Sequence, residues 1–146
     1  MQWSNPTRTV RLGGVAVLLV CLLGLVSCTP EQTGTYDRIN RTRTEQGLPA
    51  LLPSPHAMVK AQAWAEHLAA TGALAHSDLW AGMPDGGVSI GENVGMGGDL
   101  DSIHAAFLSS PRHRANLLDP RWNWVGTGVA TAPNGAIYVV QVFATY

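Results

Sequence analysis

The sequence predicts a single α+β domain in which helices cover both sides of an antiparallel sheet. Three observations lead to this fold class. The length of 146 residues is typical of one domain, the middle of the chain has apolar residues at helical spacing, and residues 122–146 carry strand patterns around a tight turn. Charged residues are only 13% of the chain and hydrophobic residues 46%, which excludes a disordered polyelectrolyte.

Four helices are predicted, each from its capping residues. The second has the clearest pattern: Ser54-Pro55 is a cap followed by proline in the first turn, Gly72 ends the helix, and the inner stripe is rich in alanine, which favours close packing on a sheet. The four helices cover residues 36–46, residues 55–71, the segment from Asp99 or Asp101 to Ser109, and the segment from Pro111 to just before Asp119.

The C-terminal part of the chain reads as β-structure. Residues 122–131 and 136–146 are two strands, and Asn134-Gly135 between them supplies the positive φ values of a tight hairpin. A shorter extended piece is predicted near residues 88–94. The last strand is apolar on both faces, so we expect it in the centre of the sheet, covered on both sides.

The charge and cysteine content narrow the function classes. A net charge of -1 leaves no broad basic field for binding nucleic acid. Cys21 and Cys28 are the two cysteines of the chain, so residues 29–146 contain no thiol. A disulfide, a cysteine–zinc site and a cysteine nucleophile are therefore excluded for that segment.

The first 28 residues read as a targeting signal. Two arginines precede an apolar run over residues 12–26, which is shorter than the about 18–20 residues of a spanning helix. Leu25-Val26-Ser27-Cys28 resembles the bacterial lipobox, in which the cysteine thiol receives a diacylglyceryl group and the chain is cleaved just before it. The alternatives are a plain N-terminal membrane anchor, or an ordinary secretory signal with a chance cysteine.

This reading divides the chain into three parts. We predict a lipoprotein signal peptide at residues 1–27, a lipidated Cys28 with a short polar tether at residues 28–34, and one domain at residues 35–146. Two or more acyl chains give stable anchoring where a single chain does not, so the mature protein is expected to remain on the outer face of a membrane.

Three polar motifs stand out in the middle of the chain: His76-Ser77, Gly91-Glu92-Asn93 and the run from Ser110 to Asn116. They lie in irregular or helix-capping segments, where functional residues tend to be placed. Their order, together with Val125-Gly126-Thr127-Gly128 after them, resembles the bacterial branch of the CAP superfamily. These SCP-like extracellular proteins are related to cysteine-rich secretory proteins, antigen 5 and plant pathogenesis-related proteins.

The resemblance implies a three-layer α-β-α sandwich with a central cavity. Eukaryotic relatives line this cavity with two histidines and two glutamates, and in some a divalent metal, often zinc, is bound there. By position, His76 and Glu92 match the first histidine and the glutamate of the Gly-Glu-Asn motif, and His113 takes the place of the second histidine. The second glutamate falls around Ser109-Ser110, where no carboxylate exists. The predicted cavity set is therefore His76, Glu92 and His113.

Three uses of this set remain open from the sequence. Two neutral imidazoles and a carboxylate suit a divalent metal such as zinc, with water in the fourth position. Catalysis needs a general base and an electrostatic stabiliser as well, and the spacing identifies neither. A buried Glu92 could instead accept hydrogen bonds from loop amides and a histidine, and so tie residues 73–95 to the helix that begins at Ser110. We favour a structural or ligand-binding use.

Other candidates carry less weight. Ser77 is adjacent to His76, but the chain contains no Gly-x-Ser-x-Gly elbow that would present a serine nucleophile. His104 on the third helix could face the cavity. Trp122 and Trp124 share one face of a strand, and we expect them to pack in the core rather than to form a platform for a sugar.

The sequence therefore predicts an exported, lipid-anchored protein of the bacterial cell envelope, attached to the membrane through Cys28. We expect a monomeric, non-enzymatic binding module whose cavity takes a small apolar, glycan or peptide ligand, a metal or a partner protein, and no nucleic acid. The alternative is a secreted, protease-like hydrolase that uses His76, Glu92 and His113, with or without a metal. A third hypothesis is a scaffold in envelope assembly with a vestigial cavity.

Overall fold

A computed structural model describes residues 28–86 and 89–146 of the chain. The predicted signal peptide at residues 1–27 lies outside the described residues. The described part contains four helices and four strands: α1 (Pro30–Glu45), β1 (Leu52–Pro53), α2 (Pro55–Thr71), β2 (Ser89–Gly97), α3 (Leu100–Ser109), α4 (Pro111–Leu118), β3 (Trp124–Thr131) and β4 (Ile137–Thr145). None of these helices combines the length and the apolar character that crossing a membrane requires.

The sheet has the strand order β1-β3-β4-β2. β4 pairs antiparallel with both β3 and β2, so the prediction that the last strand is central is confirmed. β1, which the sequence analysis did not predict, pairs parallel with β3 through Leu52 and Pro53. The sheet is therefore mixed rather than purely antiparallel. A two-residue strand that contains a proline carries too little periodicity to be recognised from sequence.

Helices cover both faces of the sheet, which confirms the predicted α+β sandwich. α2 lies on one face, where its alanines and Leu68 form a core with alternate residues of β4, including Val140 and Val142. The other face carries α1, α3 and α4 over a second core that includes Phe107, Trp122 and Phe143. Trp122 is buried and stacks on Phe143, so its predicted core role is also confirmed.

The contact between α2 and β3 depends on glycine. A Cβ at Gly126 would overlap the backbone of Ala57, and a Cβ at Gly128 would overlap the backbone of Ala61. Both alanines are fully buried. The alanine stripe of α2 thus faces a glycine pair on the strand, and the helix approaches the sheet more closely than larger side chains would permit.

The free edge of β3 is closed by two glutamine side chains. Beyond β1, the Gln62 side chain on α2 accepts from the Val129 amide and donates to the Val129 carbonyl. Gln32 on α1 donates to the Thr127 carbonyl and to the Gln62 side chain. Unpaired strand edges invite association with other chains, and here side chains satisfy the edge groups instead.

The first helix begins earlier than predicted. The sequence analysis placed a polar tether before a helix starting at residue 36, whereas α1 starts at Pro30. Thr29 is the N-cap, and a capping box joins its side chain to the Gln32 amide and the Gln32 side chain to the Thr29 amide. Only Thr29 therefore separates Cys28 from the helix, and most of the predicted tether is helical.

We predict that Gly128→Ala destabilises the domain by about 1–3 kcal/mol or more, because the added methyl group overlaps the α2 backbone rather than a flexible side chain. Chemical denaturation of the mature domain measures the change. Gly98→Ala is the matched control, since a Cβ at that position meets no atom within 4 Å. Equal stabilities of the two variants would contradict the close α2–β3 contact.

Candidate functional site

Glu92 lies on β2 with its side chain fully buried. In an extended strand successive side chains point to opposite faces, so Glu92 and Val94 share one face of the sheet while Asn93 lies on the other. Val94 belongs to the core beneath α2, and Glu92 contacts the segment that follows α2. The Gly-Glu-Asn motif thereby sends its two polar side chains to two different layers.

The Glu92 carboxylate accepts three hydrogen bonds from adjacent residues. Oε1 accepts from the Ser77 amide at 3.0 Å and from His76 Nδ1 at 2.8 Å. Oε2 accepts from the Ser77 hydroxyl at 2.6 Å. Such donors compensate a buried carboxylate for the hydration it has lost. Glu92 therefore fastens the segment after α2 to the edge strand of the sheet.

A buried lysine contributes to the same arrangement, although the sequence analysis did not single it out. Lys60 on α2 donates to the carbonyls of Asp78 and Ala81, which holds the loop after Ser77 against the helix. Burial lowers the pKa of Lys60, and the negative charges of Glu92 and Asp78 oppose that change. Lys60 thus supplies a positive charge near the buried carboxylate.

His76 is oriented by Glu92 and open to solvent. Its side chain is 62% exposed. An ionised carboxylate can only accept hydrogen bonds, so the ring donates from Nδ1. In the neutral imidazole this leaves the lone pair on Nε2, the nitrogen that does not contact Glu92.

His113 lies in the first turn of α4 and shares a shallow cleft with His76. The cleft has a volume of about 210 Å³ and is lined by Leu74, Ala75, His76, Val94 and His113. The His113 ring packs edge-on against Phe107, with ring centres 5.1 Å apart. Burial lowers the pKa of His113, and the nearby His76 lowers it further. The cleft therefore favours a neutral imidazole at position 113.

A buried amide network positions α4 beside β2. Asn93 donates to the His113 carbonyl and to the Gln141 side chain, and its oxygen accepts from the Asn116 side chain. Asn116 also donates to the Glu92 carbonyl. The sequence analysis expected Glu92 itself to reach this helix, whereas Asn93 and Asn116 make the connection. Asn116 stands in the motif that begins at Ser110, but its spacing alone does not identify its partner.

The structure brings two of the three predicted site residues to the cleft surface and places the third beneath them. His76 and His113 line the cleft, while the Glu92 carboxylate is directed at Ser77 and the far side of the His76 ring. Across residues 28–86 and 89–146, no three His, Cys, Asp or Glu side chains are grouped so that they could hold a metal ion. The described geometry thus does not assemble the three-ligand metal set that the resemblance implies.

The remaining candidates lie in other environments. The Ser77 hydroxyl donates to Glu92 rather than to a histidine, so it is not arranged as an activated nucleophile. His104 forms a 2.8 Å hydrogen bond with Thr42 of α1, on the layer formed by α1 and α3. His56 and His67 on α2 are exposed.

The family of the chain follows from its sequence and fold together. The sequence profile of the cysteine-rich secretory protein family, called CAP, matches residues 36–143. The chain belongs to the CAP family. Comparison of the sequence with curated proteins finds no match.

Solved structures of bacterial proteins share the fold at low sequence identity. An outer surface protein of Borrelia burgdorferi is 16% identical with a TM-score of 0.73, over 82% of this chain and 96% of that one. An extracellular SCP-domain protein of Bacillus anthracis is 21% identical with a TM-score of 0.67, over 82% and 45%. A cysteine-rich secretory protein of Staphylococcus aureus is 19% identical with a TM-score of 0.67, over 80% and 39%. These matches show that the chain shares the fold of these bacterial proteins.

We predict that His76→Gln raises the pKa of His113 toward the ordinary histidine value of 6.5 without reaching it. The substitution removes the His76 ring, which lowers the pKa of His113, while burial continues to disfavour the His113 imidazolium. NMR titration of the His113 ring protons measures the change. His56→Gln, at an exposed position on α2, should leave this pKa unchanged. If both variants leave the pKa of His113 unchanged, the two cleft histidines do not interact electrostatically and the prediction is wrong.

Proposed function

We propose that this CAP protein is a lipid-anchored, non-enzymatic binding module of the bacterial cell envelope. Membership of a secretory family and the extracellular bacterial matches support export. The lipobox-like sequence before Cys28 and the exposed position of that cysteine support anchoring, because an acylated thiol needs room at the surface. The cleft between His76 and His113 is the proposed ligand site.

The main support for a binding role is that the Glu92 carboxylate is already hydrogen-bonded within the protein. All three of its hydrogen bonds connect it to His76 and Ser77, so it serves to orient His76 and to fix the loop. What faces the cleft is then two imidazoles beside the apolar side chains of Leu74 and Val94. This surface can hydrogen-bond a polar group and pack against an apolar one, which is the chemistry of recognition.

The size of the cleft indicates what it binds. A volume of about 210 Å³ is less than the roughly 300 Å³ at which pockets for drug-sized molecules begin. We infer that the cleft receives one side chain of a peptide or one unit of a glycan, with the rest of the ligand outside. A hydrolytic role would need an activated nucleophile or a metal-bound water, and neither Ser77 nor the described carboxylates are arranged for one.

The cleft hypothesis predicts different effects for Glu92 and His76. Glu92→Gln should destabilise the domain by about 1–3 kcal/mol, because an amide group replaces an acceptor facing the Ser77 donors. His76→Gln should change stability little, since its side chain is largely exposed. Thermal and denaturant unfolding measure both changes. Asp37→Asn is a control for removing an exposed carboxylate.

The same two variants distinguish a binding protein from a hydrolase. A short peptide and N-acetylglucosamine are added as probes, and the ring resonances of His76 and His113 are followed. One of the probes should shift both rings in the wild-type protein and should bind more weakly to His76→Gln. Peptide hydrolysis that both Glu92→Gln and His76→Gln abolish at unchanged melting temperature would establish the hydrolase instead.

Anchoring is tested independently of the cleft. Cys28→Ser removes the thiol that would accept the lipid, so we expect the protein to leave the membrane fraction or to remain uncleaved. Mass spectrometry of the N-terminal peptide and fractionation of the producing cells provide the two measurements. Unchanged membrane partition together with normal cleavage would refute lipidation at this position.

A further inference from the structure

Cys28 lies against the outer surface of α2. Its Sγ is 4.0 Å from the Met58 sulfur, and it lines one end of a groove of about 360 Å³ together with residues of α2. We call the exposed side of this helix at Met58, Val59 and Ala63 the α2 outer face. Val59 there is 58% exposed, although it is apolar. The residue proposed to carry the lipid therefore borders an uncovered apolar surface.

Cys28 is joined to the domain by a short segment that hydrogen bonds fix in place. Thr29 alone separates it from α1, and the capping box fixes Thr29. In the first turn of the helix, buried Gln32 bonds to Gln62 and to the Thr127 carbonyl. One residue spans about 3.3–3.6 Å, so acyl chains on Cys28 must enter a bilayer within a few ångströms of this surface. An anchor of this kind determines which side of the domain meets the membrane.

The charges on α2 favour contact with a membrane of neutral lipids rather than of anionic lipids. The helix contains two ionisable residues apart from its histidines, Lys60 and Glu66. Lys60 is buried and donates to two loop carbonyls, and Glu66 accepts from Gln62. The residues that line the groove beside Cys28 include no lysine or arginine. Attraction to anionic lipid headgroups is therefore not built into this face. Met58, Val59 and Ala63 supply its apolar contact, and Gln62 and Glu66 border it.

We infer that the α2 outer face lies on the phospholipid membrane that holds the acyl chains of Cys28. This inference rests on the anchoring proposed above. Val59 and Ala63 occupy the boundary between headgroups and acyl chains, and the lipid and the helix form one contact surface. α1 meets the sheet at β3 through Gln32, whereas Glu92 lies on β2 at the opposite edge. Glu92, which orients His76, and the start of α1 therefore belong to different edges of the sheet.

The test uses the lipidated mature protein in phosphatidylcholine vesicles. Residues 29–146 contain no cysteine and the Cys28 thiol carries the lipid, so a single introduced cysteine takes a nitroxide label uniquely. Ala63→Cys places the label on the α2 outer face, and Ala105→Cys places it at an exposed position on α3, in the opposite layer. The label at position 63 should lie about 5–10 Å into the interface and be shielded from a water-soluble nickel chelate. The label at position 105 should be fully accessible to the chelate.

A second pair of variants tests the apolar contact itself. Val59→Glu should move the label at position 63 toward water, whereas Met96→Glu, at an exposed apolar residue of β2, should not. Adding anionic lipid should leave the depth of the label unchanged. If lipidated protein floats with the vesicles but both labels are equally open to nickel, the inference is wrong and anchoring stands.

Two other outcomes would also overturn the inference. Dipolar broadening between labels at position 63 at low surface density would identify a second copy of the chain, rather than lipid, as the occupant of this face. An N-terminal peptide without lipid would refute the anchoring and, with it, the membrane-facing orientation.

Discussion

The burial of the Glu92 carboxylate is the constraint on which the region around the His76–His113 cleft depends. A charged oxygen pair inside a protein must be given hydrogen bonds, and Glu92 obtains them from His76 and Ser77. These contacts fix the segment after α2 and orient the imidazole at the same time. The same hydrogen bonds therefore serve both roles considered for this glutamate. The carboxylate that holds the loop also orients the His76 ring.

The core between α2 and the sheet depends on a different constraint, the close approach of this helix to β3. Glycines on β3 face alanines on α2, and Gln62 from the same helix closes the strand edge. A helix held this closely has a well-defined outer side. Because Cys28 lies on that side, the lipid proposed for it would fix the orientation of the domain as well as its location.

The docking site of α1 and the Glu92 side chain lie at different edges of the sheet. β4 separates β3, where the α1 glutamine reaches the sheet, from β2, which carries Glu92 and Asn93. Adjacent strands lie about 4.8 Å apart, so these two edges are separated by about 10 Å of sheet.

Local sequence was sufficient for most of the secondary structure and for the family. Ser54-Pro55 and Gly72 bounded α2, Asn134-Gly135 marked the hairpin, and both faces of β4 read as buried, because caps, turns and side-chain periodicity are properties of neighbouring residues. The ordered motifs around His76, Glu92 and His113 indicated where polar groups would gather. Tertiary structure alone decided the pairing of β1, the direction of the Glu92 carboxylate and the amide network through Asn93 and Asn116. These features depend on the register of β2 against β4 and on the docking of α1 and α4, which bring together residues far apart in the chain.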